Sequence, residues 1–173
     1  MKLKKPITRA GFNRLAKEHD YLWNKKRPEV VEAIGVAAAE GDRSENAEYI
    51  YGKKKLREVD RRIRYLEHTL KDVQIVDPHR IFQGSVSFGS TVKVHVDDGE
   101  TEKTLIMQIV GEGELQTGVI SVNWQSPLGR ALMAKSVGDC FDLEVPGGER
   151  AYEVLEVFVT PQEDESLNKV SDS

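Results

Sequence analysis

Apolar residues recur at helical spacing through residues 8–40, a stretch without a cluster of turn residues. These positions are Phe12, Leu15, Leu22, Val30, Ala33 and Ala37. Spacings of this kind place side chains on one face of a helix, and Thr8 is a suitable N-cap residue. Pro28 has no backbone N–H to donate, so the pattern predicts one long helix bent at Pro28, with a break there as the alternative.

A second segment has a stricter repeat of three and four residues. Its apolar positions are Leu56, Val59, Ile63, Leu66, Leu70 and Val73. This is the a/d pattern of a coiled coil, and the first helix is the nearest partner. Residues 41–44 provide a glycine for the end of the first helix, and Asp42 or Ser44 can cap the second. So short a link predicts an antiparallel hairpin with residues 41–44 at its tip.

After residue 77 the pattern changes to β-branched alternation interrupted by turn residues. It predicts strands at 92–96, 105–110, 119–122, 140–145 and 152–159. Ser126 and Pro127 indicate a short helix reaching about residue 134. The predicted fold class is α+β: an antiparallel coiled-coil hairpin over 1–77, an antiparallel β-sheet domain with one short helix over 78–160, and a disordered acidic tail over 161–173.

The sign of the net charge also changes at residue 77. The chain of 173 residues has a net charge of −4, but residues 1–77 hold 18 basic and 13 acidic side chains, whereas the remainder holds 7 and 16. Opposite charges on two parts favour two surfaces with different partners. No segment approaches transmembrane length, so we expect a soluble cytoplasmic protein without a membrane partner. The single cysteine, Cys140, lies in a strand-like run and is expected to be half-buried.

Two acidic residues, Asp42 and Glu45, lie at the predicted tip, with Glu48 one turn further on. Their spacing is that of a capping box, in which both side chains bind free backbone amides. Carboxylate oxygens are also the ligands that Mg²⁺ prefers, and Mg²⁺ takes only one or two of them from a protein. Two acids on a projecting tip can therefore complete a metal site in a partner, and spacing alone leaves both interpretations open.

Residues 53–64 hold seven basic and two acidic side chains beside the coiled-coil repeat. Such a run is commonly just a solvated helix face. An excess of positive charge close to the acidic tip is also suited to binding phosphates, through contacts that are independent of sequence and sensitive to salt.

Residues 41–49, Gly-Asp-Arg-Ser-Glu-Asn-Ala-Glu-Tyr, resemble the tip motif of the GreA/GreB family of bacterial transcript-cleavage factors. The motif of that family is Gly-Asp, two variable positions, then Glu-Asn-Ala-Glu-Tyr. Further runs resemble the GreB branch: Tyr-Leu-Trp at 21–23, Arg-Pro-Glu-Val at 27–30, Lys-Lys-Leu-Arg-Glu at 54–58 and Asp-Arg-Arg at 60–62. The resemblance extends over nearly the whole chain.

This resemblance implies that the hairpin enters the secondary channel of RNA polymerase. Asp42 and Glu45 would then help to hold the second catalytic Mg²⁺ and orient the attacking water, which assists hydrolysis of backtracked RNA. Two-metal sites stabilise both the attacking and the leaving oxygen. The chain is thus expected to be a monomer that activates the nuclease of the polymerase, is not an enzyme alone, and binds no Mg²⁺ stably by itself.

Two further surfaces are implied by the family. A basic patch on the GreB arm handles the 3′ end of longer backtracked RNA, and its counterparts here are Lys53, Lys54, Arg57, Arg61 and Arg64. The C-terminal domain of the family resembles the FKBP fold and docks on the rim of the channel. Ser126, Pro127 and Leu128 are the candidate docking residues, although ordinary capping explains a proline-led helix start equally well.

Three rival functions remain at this point. A Gre-like inhibitor would occupy the channel without aiding cleavage, although the inhibitors have a more acidic tip than Asp42-Arg43-Ser44-Glu45. A peptidyl-prolyl isomerase with an added coiled coil is suggested only by the expected fold. A dimeric scaffold would use the coiled-coil repeat between chains, which the short link at Gly41 disfavours.

Overall fold

The computed structural model describes residues 5–40, 46–115 and 120–159. The chain divides into two compact units, Met1–Ile75 and Val76–Ser173. The first unit is mainly helical, and the second is built on a five-stranded sheet with short helices. The α+β fold class is therefore confirmed. No helix within the described ranges is both long enough and apolar enough to cross a membrane.

The first helical segment is continuous past Pro28. It consists of α1 (Arg9–Tyr21), a π-helical turn (Leu22–Lys26) and α2 (Arg27–Ala39). Thr8 caps α1 as predicted, since its Oγ1 accepts the Gly11 N–H at 2.9 Å. Pro28 lies in the first turn of α2, where proline is tolerated, and the predicted alternative of a break is wrong.

Helix α3 (Ala47–Leu70) runs antiparallel to the first segment. Contacts between the two helical segments show the antiparallel orientation, because higher residue numbers in one segment pair with lower residue numbers in the other. The Ala37 carbonyl accepts from Asn46, Arg27 pairs with Asp60, and Glu18 pairs with Arg62. Val59, Ile63 and Leu66 of the predicted repeat are buried and form the apolar seam of α3. The predicted hairpin and this seam are therefore confirmed.

A two-stranded sheet closes the base of the hairpin and was not predicted. It pairs β1 (Pro6–Thr8) with β2 (Gln74–Val76). Strands of three residues are too short to show an alternating pattern, and their pairing is a long-range contact. Beside them, the buried side chains of Ile7, Leu15 and Leu66 form a core, against which Phe12, Leu22, Leu70 and Val73 pack.

The second unit contains one sheet with the strand order β5-β4-β3-β7-β6. Its elements are α4 (Pro78–Ile81), β3 (Thr91–Asp97), β4 (Glu102–Val110), β5 (Ser121–Asn123), α5 (Pro127–Leu132), β6 (Cys140–Val145) and β7 (Gly148–Phe158). Every pair is antiparallel except β4 with β5, so the sheet is mixed. Ten residues separate β4 from β5, and parallel pairing requires such a longer connection in place of a two-residue turn.

The core of the second unit lies on one face of the sheet. Its most buried members are valines of β3, joined by Ile109, Val154 and Leu132 of α5. A second short helix, α4, was not predicted, because four residues are too few for a periodic signal. Cys140 is exposed, so the expectation of a half-buried cysteine is wrong. In the edge strand β6 the alternation turns Phe141 and Leu143 toward the core and leaves Cys140 on the outer side.

Candidate functional site

The predicted tip residues Asp42 and Glu45 lie outside the described residues, between Glu40 and Asn46. Their roles as metal-binding and catalytic groups therefore stay predictions. The residues on either side of them are described. Helix α2 ends with Glu40 as its C-cap, and the exposed carboxylate of Glu48 lies in the first turn of α3.

The start of α3 is capped by Asn46. Its Oδ1 accepts the Tyr49 N–H at 3.1 Å, and its Nδ2 donates to the Ala37 carbonyl at 2.8 Å. The prediction that Asp42 or Ser44 caps α3 is therefore wrong, as is the capping-box interpretation of Asp42 with Glu45, because the helix begins after all three. Asparagine is among the best N-cap residues, but aspartate and serine are about equally good, so local preference allowed this boundary without selecting it.

Close contact between α2 and α3 continues beyond the cap. A Cβ atom built on Gly52 would lie 2.7 Å from Cγ1 of Ile34, so only glycine fits there without a shift of its neighbour. An open cleft of about 500 Å³ lies beside this contact. Its lining comes from both helices: Lys26, Glu29, Val30, Ala33, Ala47, Glu48, Tyr51, Gly52 and Lys55.

All five predicted RNA-binding side chains are exposed on α3: Lys53, Lys54, Arg57, Arg61 and Arg64. At about 100° of rotation per residue, they fall within an arc of about 100°, on the side of α3 away from the buried seam. Within residues 5–40, 46–115 and 120–159 no acidic side chain forms an ion pair with any of them. We call these five residues the basic face.

The two other cations of this run, Arg62 and Lys55, have local partners. Arg62 forms a bidentate pair with Glu18, at 2.7 and 2.8 Å. The hydrogen-bonded Glu18 carboxylate raises the pKa of Arg62 above its ordinary value. Lys55 is half-buried, and its Nζ lies 5.9 Å from the centroid of the Tyr51 ring. The charge run therefore contains two populations. The basic face is the one without an ion pair among the described residues, although Arg57 Nε donates to the Lys53 carbonyl at 3.2 Å.

The candidate docking residues begin α5. Ser126 Oγ accepts the Gly129 N–H at 3.0 Å, so Ser126 is the helix cap that the alternative interpretation required. Pro127 is exposed in the first turn, and Leu128 packs, half-buried, against the core of the second unit. Docking by these three residues stays a prediction, with Pro127 the most accessible of them.

A metal site formed by this chain alone is not found in the part that the structure describes. No group of three or more His, Cys, Asp or Glu side chains there could hold an ion. The predicted Mg²⁺ ligands, Asp42 and Glu45, are hard oxygen donors of the type that Mg²⁺ prefers. Two carboxylates suit an ion that is shared with a partner better than an ion bound by the hairpin alone.

Comparison with known proteins identifies the family. Two family models match: "Transcription elongation factor, N-terminal" over residues 5–75 and "Transcription elongation factor, GreA/GreB, C-term" over residues 82–158. Transcription elongation factor GreB of Yersinia pestis is 44% identical over 168 residues, 96% of each chain. GreB of Pasteurella multocida is 46% identical over 142 residues, 82% of this chain and 88% of that protein.

A solved structure of GreA factor homolog 1 from Thermus thermophilus matches at 23% identity with a TM-score of 0.41, covering 90% of this chain and 99% of that chain. A likeness at this level does not bear on function. The assignment depends on the two family models, which match residues of both compact units, and on GreB relatives at 44–46% identity. The chain belongs to the GreA/GreB family of transcription elongation factors.

Proposed function

We propose that this factor stimulates cleavage of the 3′ end of backtracked nascent RNA by RNA polymerase and so rescues arrested elongation complexes. The partner of the family is RNA polymerase, and members act through it rather than as enzymes alone. In this proposal a cytoplasmic monomer inserts its hairpin through the secondary channel. The observation that carries it is the basic face, which lies on the helix that begins directly after Asp42 and Glu45.

Helix α3 takes its N-cap from Asn46, so neither Asp42 nor Glu45 is needed as the N-cap residue of this helix. Asp42 and Glu45 would bind Mg²⁺ jointly with carboxylates of the polymerase and would orient the attacking water. When bound, the ion supplies Lewis-acid stabilisation of the attacking and leaving oxygens.

The basic face would receive the phosphates of the extruded RNA. With a rise of about 1.5 Å per residue, Lys53 lies roughly 10 Å and Arg64 roughly 27 Å along α3 from Asn46. This span covers several nucleotides of extended RNA beyond the acidic tip. Contacts from unpaired cations to phosphates are independent of base sequence and weaken with salt. In the second unit, Ser126, Pro127 and Leu128 at the start of α5 are the proposed contacts with the rim of the channel.

The test is a cleavage assay on a stalled, backtracked polymerase complex with Mg²⁺. We expect the wild-type factor to shorten the extruded RNA and the Asp42→Asn/Glu45→Gln variant to lose this stimulation. A matched control, Glu100→Gln/Glu112→Gln, also removes two negative charges, but from exposed positions in the second unit, and should cleave like wild type.

Two results would count against the proposal. If wild type binds the polymerase but gives no shortening, the factor is a channel-binding regulator without cleavage activity. If the Asp42→Asn/Glu45→Gln variant cleaves as well as wild type, the tip carboxylates do not contribute to the reaction.

A further inference from the structure

We propose that Asn46 is a positioning residue for cleavage: its side chain joins the end of α2 to the start of α3 and so fixes where the acidic tip is held. The inference deepens the proposed function and rests on it. Asn46 would touch neither RNA nor metal, and would act only through the segment that carries Asp42 and Glu45.

The geometry gives Asn46 two separate tasks. The Oδ1 atom accepts the Tyr49 N–H at 3.1 Å, which is the ordinary work of an N-cap. The Nδ2 atom donates to the Ala37 carbonyl at 2.8 Å, across the hairpin. Ala37 lies in the last turn of α2, and its carbonyl also accepts the backbone N–H of the C-cap residue Glu40 at 3.3 Å. One amide therefore binds both helix ends that flank residues 41–45.

Apolar packing does little to hold these two helix ends together. Ala37 is the single buried side chain among residues 31–40, and no side chain among residues 46–58 is buried. The buried seam begins only at Val59. Near the tip the contacts between the helices include the Asn46 bridge and the close approach of Gly52 to Ile34. Removing the bridge should therefore change the separation of the helix ends more than it changes the free energy of unfolding.

Such a change matters because the tip must meet a metal and a water in a partner. Misplacing a reacting group by about 1 Å can reduce the rate of a reaction up to about 100-fold. A loosened tip should lower the maximal rate of cleavage and raise the Mg²⁺ concentration needed for half of it. The affinity for polymerase, which depends on the whole factor, should hardly change.

Substitution by serine separates the two tasks. Serine is as good an N-cap as asparagine, but its short hydroxyl cannot also reach the Ala37 carbonyl. For Asn46→Ser we expect the maximal cleavage rate to fall about tenfold. The factor concentration giving half-maximal stimulation should stay within about twofold of wild type, and the Mg²⁺ requirement should rise.

The matched control is Thr8→Ala, which removes the cap of α1 at the other end of the same unit. A purely structural loss lowers the folded fraction and shifts the concentration dependence, but leaves the maximal rate intact. The inference is overturned if Asn46→Ser keeps the wild-type maximal rate, or if Thr8→Ala lowers that rate equally.

A second measurement does not depend on cleavage. The Nδ2 proton of Asn46 that donates to the Ala37 carbonyl at 2.8 Å should exchange with solvent more slowly by NMR than the other Nδ2 proton. Equally fast exchange of both protons would exclude the bridge. Slower exchange of the donated proton in a factor that stimulates no cleavage would support the bridge while contradicting the proposed function, so the two failures can be told apart.

Discussion

The base and the tip of the hairpin unit are held together by different forces. At the base, Ile7, Leu15 and Leu66 are almost completely buried, and the β1–β2 pair closes the end. Toward the tip, the contacts include one side-chain amide and one glycine, and large apolar side chains such as Ile50 and Val36 are more than half exposed. The base has the composition of a small core, and the tip has that of a surface.

Because of this difference, the free energy of unfolding depends mainly on the base, whereas the position of the tip depends on polar contacts. Burial of apolar surface is strong but non-directional, so the base contributes most of the free energy of unfolding. A hydrogen bond contributes little net free energy, yet it fixes a distance and an angle. The factor therefore needs a core to keep the hairpin folded and a polar contact to keep its tip in position. Substitutions at the two ends should change different measured quantities.

The largest expected effect is at the base. Leu66→Ala removes a fully buried side chain and should lower the free energy of unfolding by about 2–5 kcal/mol, measured by urea denaturation. Ile50→Ala, at a position 53% exposed near the tip, should change it by less than about 0.5 kcal/mol. Similar losses for both would show that the tip half is packed as firmly as the base.

A smaller effect distinguishes two glycines near the tip. Gly35→Ala meets nothing within 4 Å and should raise the free energy of unfolding by about 0.5–1 kcal/mol through helix propensity. Gly52→Ala gains the same propensity, but its Cβ would lie 2.7 Å from Ile34 Cγ1, so we expect no net gain or a loss. Equal stabilisation in thermal melts would mean that the helices approach less closely than the structure shows.

The smallest expected effect on the free energy of unfolding comes from a comparison of two neighbouring arginines, Arg61 and Arg62. Arg62→Gln breaks the partly exposed pair with Glu18 and should lower the free energy of unfolding by about 0.2–0.5 kcal/mol. Arg61→Gln, on the basic face, should leave stability unchanged but weaken cleavage of long extruded RNA, most clearly at low salt. If the two variants exchange these effects, the division of the charge run into paired and unpaired cations is wrong.

Sequence patterns predicted the elements that are long enough to be periodic. Local rules predict the seam of α3 and the strand Cys140–Val145, because burial repeats every 3.5 or 2 residues along them. The cap at Thr8 follows from residue preference at a helix start. The three-residue strands β1 and β2 have no such repeat, and their pairing depends on residues about seventy positions apart.

The start of helix α3 in the candidate site also could not be predicted from local sequence. Asp42, Ser44 and Asn46 are all good N-cap residues, so local preference cannot select among them. Asn46 is the cap in the structure, and its side chain also binds Ala37 across the hairpin, a contact that exists only once both helices are packed. Tertiary contact, rather than intrinsic preference, decides where α3 begins.

The π-helical turn has a consequence for the length of the chain. The inward positions Leu15, Leu22, Val30 and Ala37 are separated by seven, eight and seven residues, and the longer step spans this turn. Its Arg27 N–H bonds to the Leu22 carbonyl, five residues back, which accommodates one residue more than an α-helical turn. Deleting a residue there should restore a regular heptad with its phase intact. A deletion between Lys54 and Val59 would instead rotate Lys53 and Lys54 by about 100° relative to the seam and to Arg61 and Arg64, so the hairpin tolerates a change of length at one place and not at the other.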